Sequence, residues 1–200
     1  MKAPFVEWAV ASRAYPGEVD SGDRCFVRPE ADGALLAVVD GLGHGPEAAR
    51  AAELAIRIIG NQADEPGPTI VARCHEGLRG GRGVTLGLAR WNARGRDLAW
   101  LGVGDVCGIL LRDGPGAAPE RLLSHVGVVG HVSTPMRVRT AAVGQGGLLV
   151  LATDGIEGSF DRLLDLREPA ESLAGQILRQ CSKKTDDALV LVARLIGEEQ

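Results

Sequence analysis

The apolar positions of this chain fall into two textures. Residues 5–12 read as a strand, an irregular loop follows over 15–23, and residues 25–27 and 34–39 read as the next strands. The stretch Ala34-Leu35-Leu36-Ala37-Val38-Val39 is uniformly apolar, the pattern of a strand covered on both faces. It stops abruptly at Asp40-Gly41-Leu42-Gly43-His44-Gly45. Pro46 then stands where a helix accepts proline, at its first position. Ala48, Ala51, Ala52, Ala55, Ile58 and Ile59 recur at helical spacing and predict one apolar stripe. The Pro- and Gly-rich stretch 64–68 closes that helix, and a shorter one is expected over 69–78.

Beyond residue 83 the texture changes. Segments 84–91, 97–103, 106–112, 121–124, 137–142 and 148–153 read as strands separated by glycine-bearing turns, the mark of antiparallel sheets. After Pro169, residues Ala170, Leu173, Ala174, Ile177, Leu178 and Cys181 share one helical face, and residues 188–195 read as a last strand. Strands outnumber helices, and the helices fall in two groups. The expected fold class is α+β: two antiparallel β-sheets packed as a sandwich and flanked by α-helices.

Composition narrows the function. Two hundred residues suit one domain with a sizeable core. A net charge of −4 disfavours nucleic acid as a partner, because phosphate backbones call for a basic face. No apolar run approaches the roughly 20 residues that span a bilayer, and the N-terminal residues lack a signal-peptide core. Cys25, Cys74, Cys107 and Cys181 form no C-x-x-C pair and read as reduced core residues. A cytoplasmic protein with no membrane partner is expected.

The chemistry concentrates where apolar strands end. Asp40 and Asp154 each follow a buried-type strand and precede a glycine, and Asp186-Asp187 stands just ahead of the last strand. A carboxylate at the tip of a buried strand is partly desolvated and needs a cation or donors to stay ionised. Glycine after it leaves the backbone carbonyl free to approach a metal. Hard oxygen ligands without a usable His/Cys set suit Mg²⁺ or Mn²⁺ better than zinc. Each aspartate alone is equally well read as a turn or helix cap; two strand-Asp-Gly units plus an Asp-Asp pair are harder to explain that way.

These residues resemble a family. Asp40-Gly41-Leu42-Gly43-His44-Gly45 followed by an alanine-rich helix is similar to the metal-binding core of the PPM (type 2C) protein phosphatases, in particular the bacterial SpoIIE-like branch. Ser21-Gly22-Asp23, Thr153-Asp154-Gly155-Ile156 and Thr185-Asp186-Asp187-Ala188 match that branch's other motifs in order. Leu101-Gly102-Val103-Gly104-Asp105 and the segment from Ser124 to His131 resemble the short phosphatases related to the stressosome feedback phosphatase RsbX. The resemblance implies a single PPM-type catalytic domain over residues 1–200 with no separate regulatory domain. It further implies two Mn²⁺ or Mg²⁺ ions and a hydroxide between them that attacks phosphorus. The implied substrates are phosphoserine or phosphothreonine on regulatory proteins of stressosome or anti-sigma-antagonist type.

Carried over by position, Asp40 bridges both ions, the Gly41 carbonyl and Asp23 serve one, and Asp154 and Asp186 hold the other. Asp187 is the less favoured member of its pair, and Asp105 stands where relatives usually carry asparagine, as a third, weaker ligand. His44 lies two residues beyond the histidine of the eukaryotic pattern, so it is read either as a general acid or as a loop-stabilising residue. His125 and His131 are read as structural, and Arg13 and Arg24 as solvated surface residues.

Two rival readings remain. One is a catalytically inactive binding module on the same fold. The other is a GHKL-type ATP-binding kinase, whose Asp-x-Gly-x-Gly loop is met literally at Asp40. That kinase needs an upstream helix bearing asparagine, whereas Asn61 and Asn92 both lie downstream.

Overall fold

A computed structural model describes residues 2–114, 116–131, 136–144 and 146–197. In chain order it contains strands β1 (Lys2–Ala3), β2 (Val6–Arg13), β3 (Asp23–Glu30) and β4 (Gly33–Gly41), then helices α1 (Pro46–Asn61) and α2 (Gly67–Leu78). Strands β5 (Val84–Asn92), β6 (Asp97–Val103), β7 (Cys107–Arg112), β8 (Glu120–Leu122), β9 (Ser124–His125), β10 (Arg139–Ala142) and β11 (Gly146–Ala152) follow. A 3-10 helix (Gly158–Leu163), α3 (Ala170–Cys181) and β12 (Ala188–Ile196) complete the described chain.

Two sheets stack face to face. One runs β1-β2-β12-β11-β7-β8, the other β10-β6-β5-β4-β3 with β9 beside β6. Alternation along the strands shows why both faces had to be apolar. In β4, Ala34, Leu36 and Val38 point into the inter-sheet core with Trp91, Trp100, Leu149 and Leu191. Leu35, Ala37 and Val39 point the other way, onto Ala52, Ala55, Ile59 and Val71 of α1 and α2. In β12, Leu189 and Leu191 face the inter-sheet core, while Val190 and Val192 pack on Leu173, Ala174 and Ile177 of α3. The layers are therefore helices, sheet, sheet, helix, as the apolar patterning required. The four cysteines are free thiols, and no helix among the described residues is long and apolar enough to cross a membrane.

Three expectations need correction. The strand expected over 121–124 is split: β8 pairs with β7 in the first sheet and β9 with β6 in the second. The chain changes sheets at Leu123, whose carbonyl accepts a hydrogen bond from Trp100 Nε1 at 3.0 Å. The β6–β9 ladder is parallel, in otherwise antiparallel sheets; Gly102 makes room for it, because a Cβ there would lie 2.2 Å from Ser124 Oγ. The strand expected from 137 begins at Arg139, since the Arg137 amide donates instead to His125 Nε2 at 3.1 Å. The 3-10 helix after Asp154 had no counterpart in the apolar pattern, which shows no helical period over those residues.

Candidate metal centre

One end of the sandwich collects acids from both sheets. Asp23 opens β3 and Asp40 lies near the end of β4; the antiparallel register sets the two directly opposite. Thr85 of β5 stands opposite Asp40 on its other side. From the other sheet, Asp154 follows β11 and Asp186-Asp187 precedes β12. Like charges facing each other across a strand pair are destabilising, so this arrangement calls for compensation.

The sheets are tied together at this point. Thr153 Oγ1 donates to Asp23 Oδ2 at 2.8 Å and accepts from the Leu189 amide at 2.9 Å. Asp187 is 3% exposed, and both of its oxygens serve the opposite sheet's entry loop. Its Oδ1 accepts from the Tyr15 amide at 2.7 Å and its Oδ2 from the Gly22 amide at 2.9 Å. Asp187 is thus engaged by backbone donors, while the half-buried Asp186 takes, among the described residues, only the Asp187 amide, at 2.9 Å.

Glycines permit the approach. A Cβ on Gly155 would lie 1.7 Å from the Asp187 carbonyl oxygen, one on Gly41 2.3 Å from the Ala48 oxygen, and one on Gly22 3.0 Å from Asp187 Oδ2. The glycine after each strand-terminal aspartate is thus required by packing, and the Gly155 carbonyl is itself engaged, accepting from the Lys183 amide at 2.8 Å.

The electrostatics show an unneutralised cluster. Burial pushes the Asp40 carboxyl up to about 9, with the charges of Asp23, Asp154, Asp186 and Asp187 adding to it. Burial likewise raises Asp23 to about 7; the Thr153 hydrogen bond opposes the rise, and Asp187, Asp154 and Asp186 reinforce it. Asp154 is raised by local desolvation, although much of the residue is open to solvent, and then by Asp186; Lys183 opposes and Asp105 adds. Neither Asp23 nor Asp40 has a basic partner among the described residues. Strand-tip carboxylates that sense one another this strongly fit divalent cations.

Among the described residues no three His, Cys, Asp or Glu side chains converge closely enough to enclose a single ion. That excludes a closed zinc-type site but not Mg²⁺ or Mn²⁺, which keep several waters and take one or two carboxylates each. The donor set fits that chemistry.

The remaining expected residues separate. Asp105 is exposed in the β6–β7 turn, within electrostatic reach of Asp154. His44 stacks on Tyr15 at 4.1 Å between ring centroids, and its Nδ1 lies 3.4 Å from Glu18. The positive φ of Gly43 and Gly45 shapes this loop ahead of α1. His125 braces Arg137, His131 reaches the Gly81 carbonyl at 3.3 Å, and buried His75 accepts from the Gly130 amide at 3.1 Å.

Arg13 and Arg24 are more than solvated surface. Arg13 holds Ser182 Oγ at 3.1 Å and the Lys183 carbonyl, and Arg24 clamps the Ser21 and Asp23 carbonyls at 2.6 and 2.9 Å. Each fixes a loop that delivers an acid. Sequence reasoning also missed Thr85, whose buried hydroxyl beside Asp40 has no hydrogen-bond partner among the described residues. The signal for Thr153 was present in the Thr-Asp-Gly motif but pointed only to its neighbour.

Comparison with known proteins assigns the family and the fold. The model of the family described as Stage II sporulation protein E (SpoIIE) matches residues 30–196. The chain belongs to the SpoIIE family. It is similar to the phosphoserine phosphatase RsbX of Bacillus subtilis (strain 168), 24% identical over 180 residues that make up 90% of this chain and 89% of that protein. A solved chain described under the bacterial stressosome, a modular system adapted to control secondary messenger signaling, is 31% identical with a TM-score of 0.86, over 94% of this chain and 99% of that one. The crystal structure of RsbX in complex with magnesium superposes with a TM-score of 0.88 at 22% identity, covering 98% of each chain. The SpoIIE-family sandwich leaves no place for the kinase reading: β4, not a helix, leads into Asp40, and strands β2–β4 occupy the upstream segment.

Proposed function

We propose that this SpoIIE-family chain is a divalent-metal-dependent protein serine/threonine phosphatase. Its substrates, on this reading, are phosphoserine or phosphothreonine residues on regulatory proteins of a stress-response switch of stressosome type. One observation carries the reading: buried Asp23 and half-buried Asp40 face each other, with no basic partner among the described residues, at the point where Asp154 and Asp186 arrive from the other sheet. The likeness to a phosphoserine phosphatase and to a stressosome-associated chain supports the substrate class.

Two Mn²⁺ or Mg²⁺ ions would be held, with water completing their shells, by the carboxylates of Asp23, Asp40, Asp154 and Asp186 and the Gly41 carbonyl. Bound there, the ions would supply the chemistry of water activation and of charge neutralisation at a phosphoryl group. The chain's own residues set the stage. Thr153 fixes the Asp23 carboxylate, Asp187 pins the loop that carries Gly22 and Asp23, and Arg13 and Arg24 hold the flanking turns. The N-terminus of α1, just after the acidic loop, adds a modest attraction for the phosphate dianion. His44, engaged by Tyr15 and Glu18, braces this loop and is not assigned a proton. Asp105 sits at the rim.

Hydrolysis of p-nitrophenyl phosphate tests this reading. Activity should require Mn²⁺ or Mg²⁺ and vanish in EDTA. Asp40→Ala should lose at least about two orders of magnitude, ~2.7 kcal/mol of barrier. Equal, metal-independent background for wild type and variant would leave only the inactive-module reading.

A further inference from the structure

Away from the acids, a surface groove of about 560 Å³ lies between α1 and the turn that follows α2. Its lining includes Arg50, Arg79 and Arg82 against a single acid, Glu47, with Leu54 and Gly77 on its floor. This is a locally basic furrow on a chain of net charge −4. Arg82 is engaged: it pairs with Glu47 at 2.9 Å and donates to the Leu42 carbonyl at 2.8 Å. Arg50 and Arg79 are exposed, and their guanidinium groups have no hydrogen-bond or ion-pair partner among the described residues.

The position of the groove gives these charges a use. Leu42 is two residues past Asp40, so the Arg82–Leu42 hydrogen bond sets the groove's near end against the loop of the acidic centre. At its far end the groove meets a second hollow at Gly77, lined by Ile58, Asn61 and the ion pair of Arg73 with Glu76 at 3.0 Å, so the unpaired positive charge lies in the first hollow. Gly77 keeps the two helices close, since a Cβ there would lie 2.6 Å from Ile58 Cδ1. The two hollows together make a furrow along the α1–α2 seam that leads away from the metal centre.

We propose that this furrow is the docking site for an acidic segment of the phosphoprotein substrate, with Arg50 and Arg79 as the cations that recognise it. The proposal rests on the phosphatase reading, which leaves the acidic centre with little means of distinguishing one protein from another. Two unpaired guanidinium groups over a partly apolar floor match carboxylates on an amphipathic segment, because guanidinium forks bind carboxylates in two-point geometry. Exposed charges of this kind act through steering and selectivity and are screened by salt. They set which protein presents its phosphate, and the hydrolytic step is left to the acids.

The probe is a fluorescein-labelled phosphoserine peptide flanked on both sides by glutamates, compared with a twin in which glutamines replace them. Fluorescence anisotropy, with and without Mn²⁺, reads binding independently of turnover. Wild type should bind the glutamate peptide at least about tenfold more tightly than its twin at low salt, and the gap should shrink as salt approaches ~0.5 M. Arg50→Glu combined with Arg79→Glu should erase the gap while hydrolysis of p-nitrophenyl phosphate stays within about twofold. Arg50→Ala with Arg79→Ala should give an intermediate loss. Equal binding of the twins by wild type, or a preference that survives charge reversal, overturns the docking site. Absent Mn²⁺-dependent hydrolysis in wild type overturns the phosphatase reading instead, and the anisotropy result then stands on its own.

Discussion

Asp23 is buried and Asp40 largely so, and neither has a basic partner among the described residues, so each keeps its proton in the metal-free fold far above the 3.8 of an unfolded aspartate. Asp40 reaches about 9 and Asp23 about 7, burial being the larger cause in each. Between about pH 4 and about pH 9 the folded chain therefore holds more protons than the unfolded chain, and its stability falls as pH rises through that window. In EDTA we expect the Tm to be higher near about pH 5.5 than near about pH 8.5, with Asp40→Asn flattening the slope. Added Mn²⁺ should raise the Tm most at the alkaline end, where it displaces fewer protons. Differential scanning fluorimetry decides this; a metal-free Tm that climbs with pH contradicts the assignment. His44 is tested at the same scale. Held by Tyr15 and Glu18, it should lose less than about tenfold in kcat on His44→Ala, whereas a true general acid loses roughly 10²–10⁴.

At the scale of elements, the strand ends were legible before any coordinates. A run such as residues 34–39, apolar on every position, predicts a strand covered on both faces, and β4 is one, with α1 and α2 on one side and the second sheet on the other. Its terminal aspartate followed directly. What the run could not show is register. That Asp23 faces Asp40, and that Thr85 faces it from the other side, depends on how β3 and β5 align, which no single-strand pattern encodes. The split of residues 121–124 between two sheets was hidden for the same reason: each half is too short to carry a period. Arg13 and Arg24 read as surface because their bonds go to distant backbone carbonyls, and those targets leave no trace in composition. The glycines after Asp40 and Asp154 were read through their carbonyls, but their missing side chains matter as much. Gly155→Ala would drive a Cβ to within 1.7 Å of the Asp187 carbonyl oxygen. We expect it to cost about 2–3 kcal/mol in urea denaturation and to weaken metal binding along with stability; a variant of wild-type stability would mean that the two turns are not packed as described.

Across the whole molecule, polar links between the sheets among the described residues include those of Thr153 and Asp187, beside the acids, and the bond from Trp91 Nε1 to the Ile196 carbonyl at 3.3 Å, away from them. Asp187 and Asp186 are neighbours with different work, which makes the division testable. Asp187→Ala strands the Tyr15 and Gly22 amides and should lower stability by about 2–3 kcal/mol even in EDTA. Asp186→Ala breaks no inter-sheet bond; it should leave metal-free stability nearly unchanged and weaken Mn²⁺ binding. The reverse pattern in paired denaturation and binding experiments would exchange the two roles. The same architecture separates chemistry from selection: the acids lie where both sheets end, and the basic furrow runs outward along the α1–α2 seam.

The most direct measurement is isothermal titration calorimetry of the metal-free protein with Mn²⁺. Two ions should bind per chain, with the release of protons near neutral pH, and Asp40→Asn should abolish or severely weaken both. A flat titration of the wild type, or uptake that Asp40→Asn leaves intact, would show that these carboxylates meet for some reason other than to share cations.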